Sequence, residues 1–405
     1  MTEHTNDTLS NETINTLLQN GLFEGIPLIA EMLANAAMIL ERAHHLKVGA
    51  YERGAARDGQ ANGFKPRGLQ TSFGKLNLNV PQVRGSSEPF QSSLFGKGCR
   101  TERSLKVAIA EMYLQGVSTR RVTTVMEKLC GMEVTSGQVS RLTAELDVEF
   151  ELWRTRALPE IAFIFLDATY IKVRLNGAVR DCAVLSAIGI RRSDGKRMAL
   201  GVSAAISEAE PHWRAFINSL KARGIGIPDL VTSDAHEGLK AALRATLNSS
   251  PWQRCQFHLQ QNAQAYVPQV AMRAAVAADI RSIFNSQDLP HAEARLAQLV
   301  VKYAKTAPAL SVWMERNIPE GLTVMRFEET LRRRLRTSNM CENLHRQIKR
   351  RTRVIGLFPN ENSVLRLVTA VLMETSEEWE TGKTYLNPAP QNFLSNTQNQ
   401  QQTAA

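Results

Sequence analysis

The stretch IAFIFLDATYIKVR, residues 161–174, decides how this chain is read. Ile161 to Leu166 are large and apolar on both alternating faces. That is the pattern of a strand buried on both sides, in the middle of an α/β sheet. Asp167 then ends the run. A carboxylate there costs free energy unless something charged compensates it. Its readings are a strand-end Asp reaching solvent or a backbone N–H, and a metal ligand on a catalytic sheet.

The sequence on the C-terminal side extends the sheet. Residues 179–191 (VRDCAVLSAIGIR) and 196–207 (KRMALGVSAAIS) are joined by the turn SDG, 193–195. With the first strand they predict an antiparallel meander. A helix follows over 208–224. IPDLVTSDAHEGLKAALRATL (227–247) is a strand running into a helix, with Asp234 where the strand stops. WQRCQFHLQQNAQAY (252–266) repeats that pattern, with Cys255 and His258 at the junction. Three strands, helix, strand, helix, strand, helix is the order of an α/β RNase H-like core. Residues 267–336 have helical periodicity divided by Pro268, Pro290, Pro308 and Pro319, which predicts an all-helical insertion. Two helices close the core over 337–381, and a polar tail, 382–405, is expected to be disordered.

On the N-terminal side, residues 1–13 are polar and are expected to be a disordered tail. Residues 14–98 combine one or two helices with a Gly-punctuated basic segment, in which LQTSFGKLNLNVPQV predicts a short β-hairpin. The helix over 14–46 caps the next domain or dimerises. Residues 99–150 read as helix, glycine turn and helix. TRRVTTVMEKLCG stops at Gly131, and Thr135 or Ser136 caps GQVSRLTAELDVEF. This is a helix-turn-helix pattern, in which Gln138, Ser140 and Arg141 would stand near the N-terminus of a recognition helix. An ordinary helical hairpin is the other reading.

Bulk properties narrow the class. A net charge of +10 and an isoelectric point near 9.5 favour a polyanionic partner. Five scattered cysteines without a C-x-x-C argue against a disulfide framework and for a reducing cytoplasm. The longest apolar stretch, 26–40, contains Glu31 and is too short to span a bilayer, so no membrane segment is expected.

Three acids carry the chemistry in this reading: Asp167, Asp234 and Glu342. The first and fourth strands of the expected sheet are neighbours, which brings Asp167 towards Asp234. A helix packed on the sheet would bring Glu342 alongside. Carboxylates held together repel one another and call for divalent cations. Hard oxygen ligands suit Mg²⁺, with Mn²⁺ able to substitute. Two such ions activate the nucleophile and leaving group of a phosphoryl transfer. Each acid also has a bland role. Asp234 can cap its helix, and Glu342 can complete a capping box with Asn339. Glu328 and Glu329 are rival third acids, but Glu342 shares its helix face with His345, Arg346 and Lys349. The surrounding tract, including Arg350, Arg351 and Arg353, is expected to meet DNA phosphates.

FLDATYIKVR, TSDAHEGLKAAL, WQRCQFHLQQN, CENLHRQIKRRTRVIGLFPN, LQTSFGKLNLNVPQVRG and LQGVSTRRV together resemble the IS256-type, Mutator-like family of bacterial insertion-sequence transposases, over roughly residues 45–380. The resemblance implies a DDE catalytic domain with a helical insertion before the Glu. It carries the triad onto Asp167, Asp234 and Glu342, the following basic residue onto Lys349, and a C-x-x-H pair onto Cys255 and His258. Two such ligands are too few for structural zinc, so a supporting role near Asp234 is expected. Trp313 resembles a tryptophan that stacks on a flipped base in related transposases; packing between helices is its other reading. The implied protein is an Mg²⁺-dependent transposase. It is expected to bind double-stranded DNA as a homodimer, in the cytoplasm and on the nucleoid. An inactive DNA-binding repressor and a structure-specific nuclease are the rival functions.

Overall fold

Apolar residues at helical spacing build the first element, α1 (His4–Leu46), which bends at Gly21, where φ is 76°. The computed structural model describes residues 4–49, 52, 54, 56–94, 101–130 and 134–386. Helix α1 therefore begins inside the stretch 1–13 expected to be disordered, and the expected tail beyond 386 lies outside the described residues. Contacts divide the chain into two units, Met1–Leu146 and Asp147–Ala405.

In the first unit, β1 (Gln60–Thr71) and β2 (Gly74–Arg84) form the expected antiparallel hairpin. Leu76 and Leu78 bury one side of it against Met38 of α1. The Glu31 and Asn35 side chains accept the backbone N–H groups of Asn77 and Asn79 at 2.7 and 2.8 Å. Those bonds satisfy an edge that would otherwise be open to another strand. Three helices follow: α2 (Arg103–Leu114), α3 (Thr119–Cys130) and α4 (Ser136–Ala144). Thr135 caps α4 through a capping box closed by Gln138. Residues 131–133, in the turn between α3 and α4, lie outside the described residues. The single helix expected over 137–150 is instead two. Its second half is α5 (Asp147–Thr155) in the other unit, where Arg366 donates two hydrogen bonds of 2.6 Å to Asp147.

The second unit is a mixed α/β fold. Strands β3 (Ile161–Leu175), β4 (Ala178–Arg191) and β5 (Arg197–Ala205) make the meander. Helix α6 (Glu210–Ala222) leads to β6 (Leu230–Ser233), α7 (Glu237–Thr246), β7 (Trp252–Arg254) and α8 (Gln256–Ala263). The helical segment holds α9 (Arg273–Phe284), α10 (Leu289–Tyr303), α11 (Pro308–Asn317) and α12 (Glu329–Leu335). Helices α13 (Asn339–Ile355) and α14 (Glu361–Thr381) close the fold. The sheet order is β5-β4-β3-β6-β7, with β3, β6 and β7 parallel. The first and fourth strands are neighbours, as the sequence predicts.

One expectation needs correction. Asp167 does not end its strand, because β3 runs on to Leu175 in antiparallel pairing with β4. What ends is the neighbour: β6 pairs with β3 only as far as Leu166–Ser233. Asp167 therefore sits where one flanking strand stops, which leaves its edge of the sheet open.

Period-two alternation sends Ile164 and Leu166 to one face, where they pack with Trp213, Phe216 and Leu239 of α6 and α7. Phe163 lies on the other face and meets Phe327 edge-on, with ring centroids 5.6 Å apart. Helices α9 to α11 bury their own core of Val276, Ile280, Leu296, Leu310 and Met314. An insertion with an independent core can interrupt the sequence of the sheet layer without entering it.

Gly238, in the first turn of α7, admits a close approach of backbone. A Cβ there would stand 2.2 Å from the Glu208 carbonyl oxygen and 2.9 Å from the Glu210 nitrogen. Gly238→Ala is expected to destabilise the fold by about 1–3 kcal/mol through this overlap. The check is the urea midpoint of the full chain. A midpoint equal to that of the wild type would show that the 208–210 backbone moves aside freely.

Candidate active site at the open sheet edge

Helix α13 is tied to the sheet layer at both ends. Before its first turn, the Thr232 hydroxyl donates to the Leu335 carbonyl at 2.8 Å, and Gln256 N–H donates to the Arg336 carbonyl at 3.0 Å. Ser338 N–H donates to Cys255 Sγ at 3.4 Å. Beyond its last turn, Gly356 takes a φ of 74°, which ends the helix as only glycine does readily. The chain then returns to β3, where Phe358 N–H reaches the Lys172 carbonyl at 3.1 Å and Arg174 N–H reaches the Phe358 carbonyl at 2.8 Å. The face of α13 that carries His345 is thereby held over Asp167.

Asp167 is 9% exposed. Its Oδ1 accepts the Ala168 N–H at 2.9 Å. Burial, and then the Asp234 carboxylate, push its acid up to about 7, with Glu208 adding to the rise and His258 and the Ala168 N–H opposing it. The effect of Asp234 on Asp167 puts two like charges at one edge. Asp234 accepts the His236 N–H at 3.3 Å, a local turn contact, while α7 has no side-chain cap. Glu342 does not serve as a cap either. The N-cap of α13 is Ser338, without a side-chain cap hydrogen bond, and Glu342 Oε1 is buried without a hydrogen-bond partner.

His258 stands among these acids. Its Nε2 is 3.9 Å from Glu342 Oε1. The adjoining Cys255 side chain and the carboxylates of Asp167 and Asp234 hold its imidazole up at about 9, against the opposite effect of burial. Burial alone would raise the Cys255 thiol, but His258 and the Ser338 N–H bring it below its ordinary range. One imidazolium thus balances charge from three acids.

The donor set is one of hard oxygens, and Glu342 offers an oxygen that no protein group satisfies. In donor chemistry the residues fit a divalent cation. Among the described residues, however, no three His, Cys, Asp or Glu side chains converge closely enough to hold one ion as they stand.

The remaining expected residues divide. Arg346, Lys349, Arg350 and Arg353 are exposed on α13, and Arg346 donates to Asn343 at 2.9 Å. Arg351 is not a surface contact. Its side chain is buried and pairs with Glu374 of α14 at 2.6 Å, because its position on the 3.6-residue turn points inward with Leu344 and Ile348. Glu328 and Glu329 are exposed at the start of α12, away from this set of contacts. Trp313, with two readings from sequence, takes the packed one. It is 8% exposed in the core of the helical segment and stacks on Tyr266 at 5.5 Å. In the first unit, Gln138 spends its side-chain oxygen on the Thr135 N–H, and the Ser140 hydroxyl donates to the Ser136 carbonyl. Arg141 is exposed.

Three residues near the acids escaped sequence reasoning. His345 was grouped with the phosphate-facing residues but is buried against Asp167 and Ser186. Ser186 was read only as part of a strand. Glu208 was read as the start of a helix, but α6 begins at Glu210, and the Glu208 side chain is 10% exposed close to His236. An acid just past the end of β5 was the one signal available.

Comparison with known proteins agrees with the site. The family model described as "Transposase, Mutator family" matches residues 1–382. The transposase for insertion sequence element IS406 of Burkholderia multivorans is 50% identical over 376 residues, covering 92% of this chain and 96% of the relative. The transposase for ISRM5 of Rhizobium meliloti is 37% identical over 390 residues, covering 96% of each. The transposase for IS256 in transposon Tn4001 of Staphylococcus aureus is 32% identical, covering 94% of this chain and 98% of the relative. Among solved structures, a Drosophila P element transposase strand transfer complex aligns with 72% of this chain and 94% of that one, at 11% identity and a TM-score of 0.39. A match over nearly the whole chain, to relatives of nearly the same extent, means that this chain belongs to the Mutator family of insertion-sequence transposases.

Proposed function

We propose that the second unit is an RNase H-like DDE domain that cuts and joins DNA strands at Asp167, Asp234 and Glu342. The observation that carries the reading is Asp167, buried beside Asp234 at an open sheet edge. Glu342 complements them with its unsatisfied oxygen. The three carboxylates would hold Mg²⁺ or Mn²⁺, in two positions. Bound there, the ions supply Lewis-acid activation of a water or a 3′-hydroxyl and of the scissile phosphate. The protein's own part is orientation. The β3 backbone fixes Asp167, the end of β6 fixes Asp234, and the two-ended anchoring of α13 fixes Glu342. His258 balances the charge of the acids, and Cys255 anchors the start of α13 through Ser338.

DNA is the substrate in this reading. Arg346, Lys349, Arg350 and Arg353 offer an exposed basic face on the helix that carries Glu342, suited to backbone phosphates. The first unit would bind the terminal inverted repeats, with α4 as the recognition helix. Synapsis of two ends calls for two copies of the chain. Among the described residues, no helix is long and apolar enough to cross a membrane, in keeping with a protein that works on the chromosome in the cytoplasm.

Glu342→Gln is expected to abolish cleavage and strand transfer while leaving terminal-repeat binding and thermal stability near wild type, because the helix needs no cap from this residue. The assay is cutting of a labelled transposon-end duplex with Mg²⁺ or Mn²⁺, beside metal-free binding. Cutting at the wild-type rate would sink the assignment. Products cut but never joined by the wild-type protein would favour a nuclease over a transposase.

Arg350→Ala should flatten the affinity-versus-salt plot by about one unit, as one phosphate contact is lost. Arg351→Ala should leave that slope alone and lower stability by about 1–3 kcal/mol, since it strips a buried partner from Glu374. The reverse pattern would show that the pairing with Glu374 is exchanged for DNA. Arg141→Ala should weaken terminal-repeat binding by about 1–3 kcal/mol and relax sequence preference. Equal loss on random DNA would make it a phosphate contact.

A further inference from the structure

Behind Asp167 lies a short closed chain of polar contacts. His345 Nε2 is 2.9 Å from Ser186 Oγ. The Ser186 hydroxyl donates to the Asp167 main-chain carbonyl at 3.1 Å. The other ring nitrogen, His345 Nδ1, is 3.4 Å from Asp167 Oδ2. Ser186 is fully buried, and His345 is 7% exposed. The ring is held on one side by β4 and on the other by the acid.

Proton counting assigns the tautomer. A hydroxyl carries one proton and can accept as well as donate. The Asp167 carbonyl oxygen can only accept, so it takes the Ser186 proton. The Ser186 oxygen must then accept from His345, which places the imidazole proton on Nε2. In a neutral ring Nδ1 is left as a bare lone pair. It faces Oδ2, itself an acceptor. The opposite tautomer would put an N–H donor against Oδ2 and occupy a lone pair of that oxygen.

We infer that His345 is a positioning residue whose tautomer, set by Ser186, withholds a donor from Asp167 Oδ2 and so keeps that oxygen open for a cation. Groups behind a ligand commonly set its orientation and available lone pairs in this way. The reach of the inference depends on Asp167 being a metal ligand, as proposed above. Asn and Gln separate the two ring nitrogens. A Gln amide at 345 reaches the Nε2 position and can donate to Ser186, leaving nothing at Nδ1. An Asn amide reaches the Nδ1 position and turns its NH₂ towards the carboxylate.

The test has a spectroscopic arm and a binding arm, both on the full chain. In ring-¹⁵N-labelled protein without metal, the His345 signal, identified by its loss in His345→Gln, should show an unprotonated Nδ1 and a protonated Nε2. A protonated Nδ1 overturns the inference. Mn²⁺ binding is then followed by electron paramagnetic resonance of the free ion. His345→Gln should bind Mn²⁺ within about threefold of wild type. His345→Asn and Ser186→Ala should bind it about 10- to 100-fold more weakly, the usual cost of a lost supporting contact. Asn retaining affinity while Gln loses it would mean that His345 donates to Asp167 after all. Asp167→Asn is the separate control. If it binds Mn²⁺ as the wild type does, the metal-site reading fails, whatever the tautomer of His345 proves to be.

Discussion

A carboxylate buried on a β-sheet next to a second carboxylate is the constraint on which this structure turns. Asp167 would be costly where it stands without compensation, since burial and Asp234 both oppose its ionised form. Several features of the second unit bear on that one position. Strand β6 stops one residue short of it, which opens the edge. His258 brings positive charge from the first turns of α8. Helix α13 supplies Glu342 and the buried His345, held in place by main-chain and side-chain bonds at both of its ends.

Buried interactions in this region serve position more than stability. Cys255 illustrates the point. Its sulfur accepts from Ser338, its own N–H donates to the Ser233 carbonyl at 2.7 Å, and its side chain adjoins His258. One small residue thus ties the end of β6, the start of α8 and the start of α13 together, and those are the three places from which Asp234, His258 and Glu342 come. The pairing of Arg351 with Glu374 does similar work on the far side of α13, joining it to α14. A helix rich in arginine and lysine is therefore two-sided in function. One face is internal and fixes the helix; the other is exposed and basic.

Much of this was legible from residue order. Continuous apolar runs marked β3 and β4, alternation and turn residues marked the meander, and the position of Asp234 after a short apolar run marked a strand end. Helical periodicity with prolines at intervals marked the segment between Tyr266 and Arg336, and the structure gives it a core of its own. The errors came where periodicity is silent. Asp167 reads as a strand end because a charge interrupts an apolar run, yet hydrogen bonding to β4 continues through it. The helix over 137–150 reads as one because nothing local breaks it; the break comes from Arg366, more than two hundred residues away.

What the sequence determined by itself is the set of elements, their order and the acids that end or interrupt them, because these follow from local spacing of apolar and charged residues. It also determined family membership, since motifs in combination carry that information. The tertiary structure decided which side of α13 each charged residue occupies. Arg350 and Arg351 are adjacent in sequence and identical in chemistry, yet a 100° step around the helix puts one in solvent and the other against Glu374. It also decided that His345 faces Asp167 and Ser186 instead of phosphate. Such choices depend on how a helix is rotated against a sheet, and that rotation is set by contacts at Cys255, Leu335, Arg336 and Phe358, which no periodicity within residues 339–355 encodes.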